Sequence, residues 1–327
     1  MPILARHPGF AHRAKASAVR TNPTPPARPA RPWAIERTIT NDPERPMRIS
    51  SYIMTDGTAS YGVARDGKLH DAGADLRARY ADLRAVLAAD DLAALSAASG
   101  PVLDMSDVTM MSPLPNPDKI ICIGLNYMSH ITETGREKPA KPSIFTRYPS
   151  SVLGHGAALV RPKASTWFDF EGELAVVIGK PGRHISEATA MDHVAGFSCF
   201  NDGSVRDFQR HTSQFWPGKS FDDSGAMGPW LVTRDALPDP EAQNMQTRLN
   251  GEVVQSAPIA DLAFGIPELI AYVSTVTRLL PGDVIATGTP SGVGMFREPK
   301  LFMKPGDRIE VEISGIGTLS NGVIDEV

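Results

Sequence analysis

Short apolar runs bounded by Gly, Pro, Asn or Asp dominate the hydrophobic pattern from Met47 onward. Runs of that length and punctuation read as strands. Met47–Met54 (MRISSYIM) and Ala59–Gly73 (ASYGVARDGKLHDAG) predict a small meander, with Asp66–Gly67 as its hairpin turn. Residues 76–98 place Ala and Leu at helical spacing. The cluster PLPNP, Pro113 to Pro117, then punctuates the chain and sets an expected domain boundary. Beyond it, strands are predicted at Lys119–Leu125, within Phe168–Gly179, and at His193–Asp202, Gly228–Thr233, Thr247–Gln255 (turning at Asn250–Gly251), Asp283–Thr289, Asp307–Gly315 and Gly317–Ile324. Phe264–Leu280 reads as a helix stopped by Pro281–Gly282, and a shorter helix is expected around Ser186–Val194. Strands without regular βα alternation argue against a doubly wound parallel sheet. The expected class is mainly β with some α.

One strand breaks the pattern. FDFEGELAVVIG, Phe168 to Gly179, carries Asp169, Glu171 and Glu173 into an apolar run. Side chains at i and i+2 share a strand face, so Glu171 and Glu173 project together, joined by Asp169 if the strand starts that early. Two readings stand side by side: a strand end whose acids face water, or a carboxylate pair neutralised by a hard cation. A third acid, Asp202, ends the His193–Asp202 run beside Gly203, where a plain Asx turn is the alternative. If the following VRDFQ turns helical, Asp202, Arg206 and Gln209 fall on one face.

Three further stretches carry candidate chemistry. His130 and Glu133 follow the Lys119–Leu125 strand at a spacing that lets a carboxylate orient an imidazole as general base. The Gly-, Arg-, Lys- and Pro-rich run after them reads as a mobile surface segment, suited to a lid. Lys219 lies between a Pro–Gly turn and Phe221, a candidate positioned charge. ATGTPSGVG, Ala286 to Gly294, offers backbone N–H groups and hydroxyls to an anion, and a carboxylate fits it better than a phosphate because it matches neither a Walker loop nor a dinucleotide fingerprint.

Composition narrows the classes. The net charge of −4 gives no basic footprint for nucleic acid. Cys122 and Cys199 sit in apolar runs without ligand partners, which predicts buried free thiols. No apolar run approaches the ~20 residues of a membrane helix, so a soluble, cytoplasmic protein without a membrane partner is expected. Residues 1–46 are rich in Pro, Ala and Arg, with no acid before Glu36, and read as a disordered extension; a natural start at Met47 is the alternative explanation.

In order, GLNYxxHxxE, FDFEGELAVVIG, NDxSxRDxQ, GKSFD and GDVIATGTPxGVG resemble the fumarylacetoacetate hydrolase family over residues 118–327, with a looser match over 47–112. The resemblance implies a mixed β-sandwich/β-roll catalytic domain at 118–327, preceded by a small α+β domain at 47–112, and a homodimer. It implies Mg²⁺, or Mn²⁺ or Ca²⁺, held by Glu171, Glu173 and Asp202. It makes His130 and Glu133 a catalytic dyad, Lys219 an active-site lysine, and Arg206, Gln209 and Thr289 holders of the substrate's carboxylate and oxo groups. It gives Asp169 no ligand role. Tyr127, Arg147, Tyr148 and Trp216 are the expected pocket-facing residues. The implied substrate is a small 2-oxo acid. The HxxE pair favours hydrolytic C–C cleavage of a 2,4-dioxo acid, with isomerisation of a hydroxymuconate-type diacid or decarboxylation as alternatives at the same site.

Overall fold

The computed structural model describes residues 47–327; the extension expected at 1–46 lies outside the described residues. The strand Gly172–Ile178 holds the centre. It pairs antiparallel with Val194–Asn201 on one side and Val284–Ala286 on the other. Its sheet continues through Gly225–Thr233, Arg48–Ile53, Ala59–Arg65, Lys68–Asp71 and Val102–Asp104 in one direction, and through Ile120–Gly124 and Ser143–Arg147 in the other. A second sheet orders Glu252–Pro258, Asn244–Leu249, Arg308–Ile313, Gly317–Asp325 and Leu159–Arg161. Both sheets mix parallel and antiparallel pairs. The strands of residues 48–110 therefore share a sheet with strands beyond 118, joined where Arg48–Ile53 pairs with Gly225–Thr233.

Beyond Glu173 the central strand is apolar at every position, Leu174 to Ile178, because it feeds two cores. Leu174, Val176 and Ile178 point into a core shared with Ile309, Val311 and Leu319 of the second sheet and with Leu269, Ile270 and Val273 of the long helix. Ala175 and Val177 point the other way, into a core with Ile49, Val63, Leu83, Val86 and Ile120. At roughly 25 cal/mol per Å² of apolar surface buried, such a doubly covered strand is a rigid support. The two acids at its start inherit that rigidity.

Two helical predictions need adjustment. The long helix runs Ile266–Val276 and stops before Pro281, because Thr277 is extended and Leu279 exchanges backbone hydrogen bonds with Gly182. Residues 76–98 form three short helices, Gly73–Arg79, Leu83–Ala88 and Leu92–Ser96. Asp82 and Asp91 cap the second and third by accepting from the Ala85 and Ala94 N–H groups, which divides the run. Both cysteines are free and buried.

Candidate active site

The strand carrying the acids is broken. Phe168–Asp169 pairs with Ser204–Val205 in a separate two-stranded ladder, and the central strand resumes at Gly172. Asp169 consequently turns away from Glu171 and Glu173. Its carboxylate accepts from the N–H groups of Gly294 (2.8 Å) and Met295 (2.9 Å) and from Arg206 Nε (2.7 Å).

Glu171, Glu173 and Asp202 converge. All three are buried, and one oxygen from each lies within 4.8 Å of the others. Asn201, the strand partner of Gly172, brings Asp202 beside them, and Asn201 Oδ1 accepts from Glu171 N–H. Lys219, fully buried, donates to Glu171 Oε2 (2.5 Å), Asp202 Oδ2 (2.6 Å) and the Asp202 carbonyl (3.2 Å). An ammonium has three protons, so all are engaged and none is left for a substrate oxyanion in this arrangement. Burial pushes the Glu171 carboxyl up, but Lys219 and Arg206 outweigh it and hold the group at about 2. Burial likewise opposes the charge on Lys219, and Asp202 and Glu171 more than restore it. Glu173 goes the opposite way: burial, then the neighbouring Asp202 and Glu171, push its carboxyl well above the ordinary range. The rise at Glu173 reflects a third carboxyl crowded against Asp202 and Glu171, a repulsion that a bound cation would relieve. An all-carboxylate donor set of this kind fits a hard divalent cation.

The dyad sits across the same cavity. His130 and Glu133 lie on the short helix Met128–Glu133, with His130 Nδ1 2.8 Å from Glu133 Oε2. Glu133 Oε1 accepts from Gly292 N–H (2.9 Å), and the His130 ring meets Phe296 edge-on. Arg206 and Gln209 occupy one helical turn, Arg206–Gln209, and bond to each other at 3.0 Å. Arg206 Nη1 also reaches Glu171 Oε1 at 2.5 Å, while Nη2 is buried without a partner. Thr289 lines the cavity and accepts from Gln255 Nε2 at 2.8 Å. The cavity is about 220 Å³, below the roughly 300 Å³ at which drug-sized pockets begin.

The glycine loop binds carboxylates, though the chain's own. Gly288 N–H serves Glu173, Gly292 serves Glu133, and Gly294 and Met295 serve Asp169. Four residues expected to face the pocket do not line it. Arg147 is buried behind Asp202 and donates to Oδ1 at 2.6 Å, the Tyr127 ring is buried, and Tyr148 and Trp216 pack edge-to-face on the outside. The apolar wall comes instead from Ile123, Leu125, Phe145, Phe215 and Phe296. Sequence reading missed Gln255, whose Oε1 accepts from Gly172 N–H (2.9 Å) between the two glutamates while its Nε2 holds Thr289 and the Pro290 carbonyl. No local signal marks it, because its partners lie far away along the chain.

The family model for the fumarylacetoacetate (FAA) hydrolase C-terminal region matches residues 119–324. The chain belongs to the fumarylacetoacetate hydrolase family. A human relative, oxaloacetate tautomerase FAHD2A, mitochondrial, is 46% identical over 230 residues, covering 70% of this chain and 73% of the relative. Oxaloacetate tautomerase YisK of Bacillus subtilis is 46% identical over 223 residues, covering 67% and 74%. Among solved structures, a fumarylacetoacetate hydrolase from Exiguobacterium antarcticum aligns with TM-score 0.77 at 35% identity, covering 86% of this chain and all of that one. The maleylpyruvate hydrolase of Sphingobium sp. SYK-6, solved with manganese(II) and pyruvate, aligns at TM-score 0.70 and 27% identity over 86% and 100%. This member of the fumarylacetoacetate hydrolase family is therefore an enzyme on a mainly β scaffold. Its family uses divalent metals, and its buried acid triad suits one. Among the described residues, no helix is long and apolar enough to cross a membrane.

Proposed function

We propose that this enzyme interconverts the enol and keto forms of a short 2-oxo diacid of the oxaloacetate type. The observation that carries the reading is a small cavity holding a carboxylate-oriented imidazole opposite a buried guanidinium nitrogen that lacks a partner. Relatives named oxaloacetate tautomerase at 46% identity point the same way. Tautomerisation moves one proton between carbon and oxygen and needs no attacking water.

Glu171, Glu173 and Asp202 would hold the divalent cation, which supplies Lewis-acid polarisation of the 2-oxo group when bound. Arg206 Nη2 meets the substrate carboxylate, since a buried donor without a partner gains most from an anionic acceptor. Asp169 locks the arginine through Nε, and Gln209 does so through Nη1. Glu133 accepts the Nδ1 proton of His130, which leaves the Nε2 lone pair to carry the proton between the carbon next to the oxo group and the oxo oxygen. Phe296 and Phe145 limit water around the exchanging proton. Lys219 holds Glu171 and Asp202 in place and keeps Glu171 charged.

Hydrolytic C–C cleavage, expected from the HxxE pair, is the second reading. The same imidazole can activate water, and hydrolases stand among the similar structures at 27–35% identity. Product analysis separates the two. Purified enzyme with Mn²⁺ or Mg²⁺ should speed the loss of enol-oxaloacetate absorbance without forming pyruvate. Pyruvate release from an acylpyruvate, with no effect on the enol, would replace the tautomerase reading with the hydrolase.

A further inference from the structure

Two arginines on the cavity wall take no part in the chemistry above. Arg210 directly follows Gln209, and Arg136 lies just beyond the dyad helix; both are exposed yet line the same cavity as His130, Glu171 and Arg206. The ion pairs around the cavity engage Arg206, Lys219 and Arg147, and among the described residues they leave Arg136 and Arg210 without an acidic partner. Arg210 closes the Arg206–Gln209 turn at its C-terminal end, and both arginines line the cavity. Its guanidinium lies 6.0 Å from the centre of the Phe296 ring, the ring that also packs against His130. That contact steers the charge toward the dyad side of the cavity. Partial burial, then Arg206 and Arg136, push the Arg210 pKa down. Positive charges that repel one another around a cavity are stabilised by an anion entering between them.

We propose that Arg210 and Arg136 bind the distal carboxylate of a short diacid whose 2-oxo carboxylate end sits at Arg206, making this enzyme selective for diacids over 2-oxo monoacids. The inference rests on the 2-oxo diacid reading of the cavity, and it assigns the residues that meet the second carboxylate, which that reading leaves unplaced. A guanidinium fork matches a carboxylate in two parallel bonds, and a pair of forks can follow a chain end that varies in position.

Malate and lactate test it, because they share a 2-hydroxy acid head and differ by one distal carboxylate. Calorimetry in the presence of Mn²⁺ compares wild type, Arg210→Gln and the Arg136→Gln/Arg210→Gln double variant. Wild type should bind malate about tenfold more tightly than lactate. Arg210→Gln should weaken malate about fivefold, as expected for a partly exposed charge pair. The double variant should bring malate to the level of lactate, with lactate itself unchanged within about twofold. Wild type that binds malate no better than lactate overturns the inference, as does equal weakening of both ligands or undiminished malate binding by the double variant. This readout does not depend on turnover. Wild type that discriminates the two ligands but leaves enol-oxaloacetate untouched would retire the tautomerase reading and keep the diacid site.

Discussion

Fully buried, Lys219 directs its three protons at Glu171 and Asp202. Removing that ammonium leaves two buried carboxylates without their shared cation. Breaking a buried pair in this way costs about 3–5 kcal/mol, so Lys219→Met should melt well below wild type in metal-free buffer and recover part of the loss in Mn²⁺. An unchanged metal-free melting temperature would show that the lysine does not neutralise the acids. Much of this cluster was legible in the sequence, because strand alternation alone puts Glu171 and Glu173 on one face and HxxE spacing alone joins His130 to Glu133. Asp169 was legible only as an acid. Its turn toward Arg206 follows from the break in the strand at Phe170–Glu171, which alternation does not reveal. Arg147 and Gln255 were not legible as supports, since each acts on a residue brought to it by the fold.

At the scale of elements, the loop after Val284–Ala286 aims its backbone at three acids. Gly288 has φ +107°, and a Cβ there would come within 2.8 Å of the Asn126 Cβ. Asn126 in turn ties this loop to Phe264 through the Thr287 and Phe264 carbonyls and the Phe264 N–H. Gly288→Ala should therefore cost about 1–3 kcal/mol through backbone strain and also weaken Mn²⁺ binding, because Glu173 loses its N–H donor. Denaturant melts and calorimetry read the two effects, and a variant unchanged in both would contradict the account of this loop. The pattern of strands was readable because the central strands are apolar on both faces. Ser143–Arg147 escaped it: this strand lies at the end of the sheet, with Ile144 and Thr146 exposed, and carries no apolar run. Asp82 and Asp91 were readable as caps in principle, and the Ala/Leu spacing masked them.

Across the whole molecule, the doubly covered sheet fixes the acids, while the second sheet supplies Gln255 and closes one core. His155 helps tie the first sheet's flank to the second. Its Nδ1 accepts from Ser320 N–H at 3.1 Å, and Gly156 N–H donates to the Ser320 carbonyl at 2.9 Å. Burial, followed by Arg308, lowers its pKa below 6.5. A lowered folded value means the unfolded chain binds the proton more readily. This contribution is complete above about pH 6.5 and is lost as pH falls through the folded value. His155→Asn keeps an acceptor near Nδ1 and removes the titration, so its melting temperature should fall less than that of wild type between pH 7 and pH 5. Parallel declines would exclude His155 as a source of acid sensitivity.

The central claim joins the acid triad, the imidazole and the diacid cavity in one reaction. The rate of enol-oxaloacetate disappearance, with Mn²⁺ present, tests it most directly when wild type is set beside His130→Gln. Wild type should accelerate the conversion, and the variant should lose about 100-fold or more of that rate while binding Mn²⁺ as before. No acceleration by wild type, or full acceleration by His130→Gln, would contradict it.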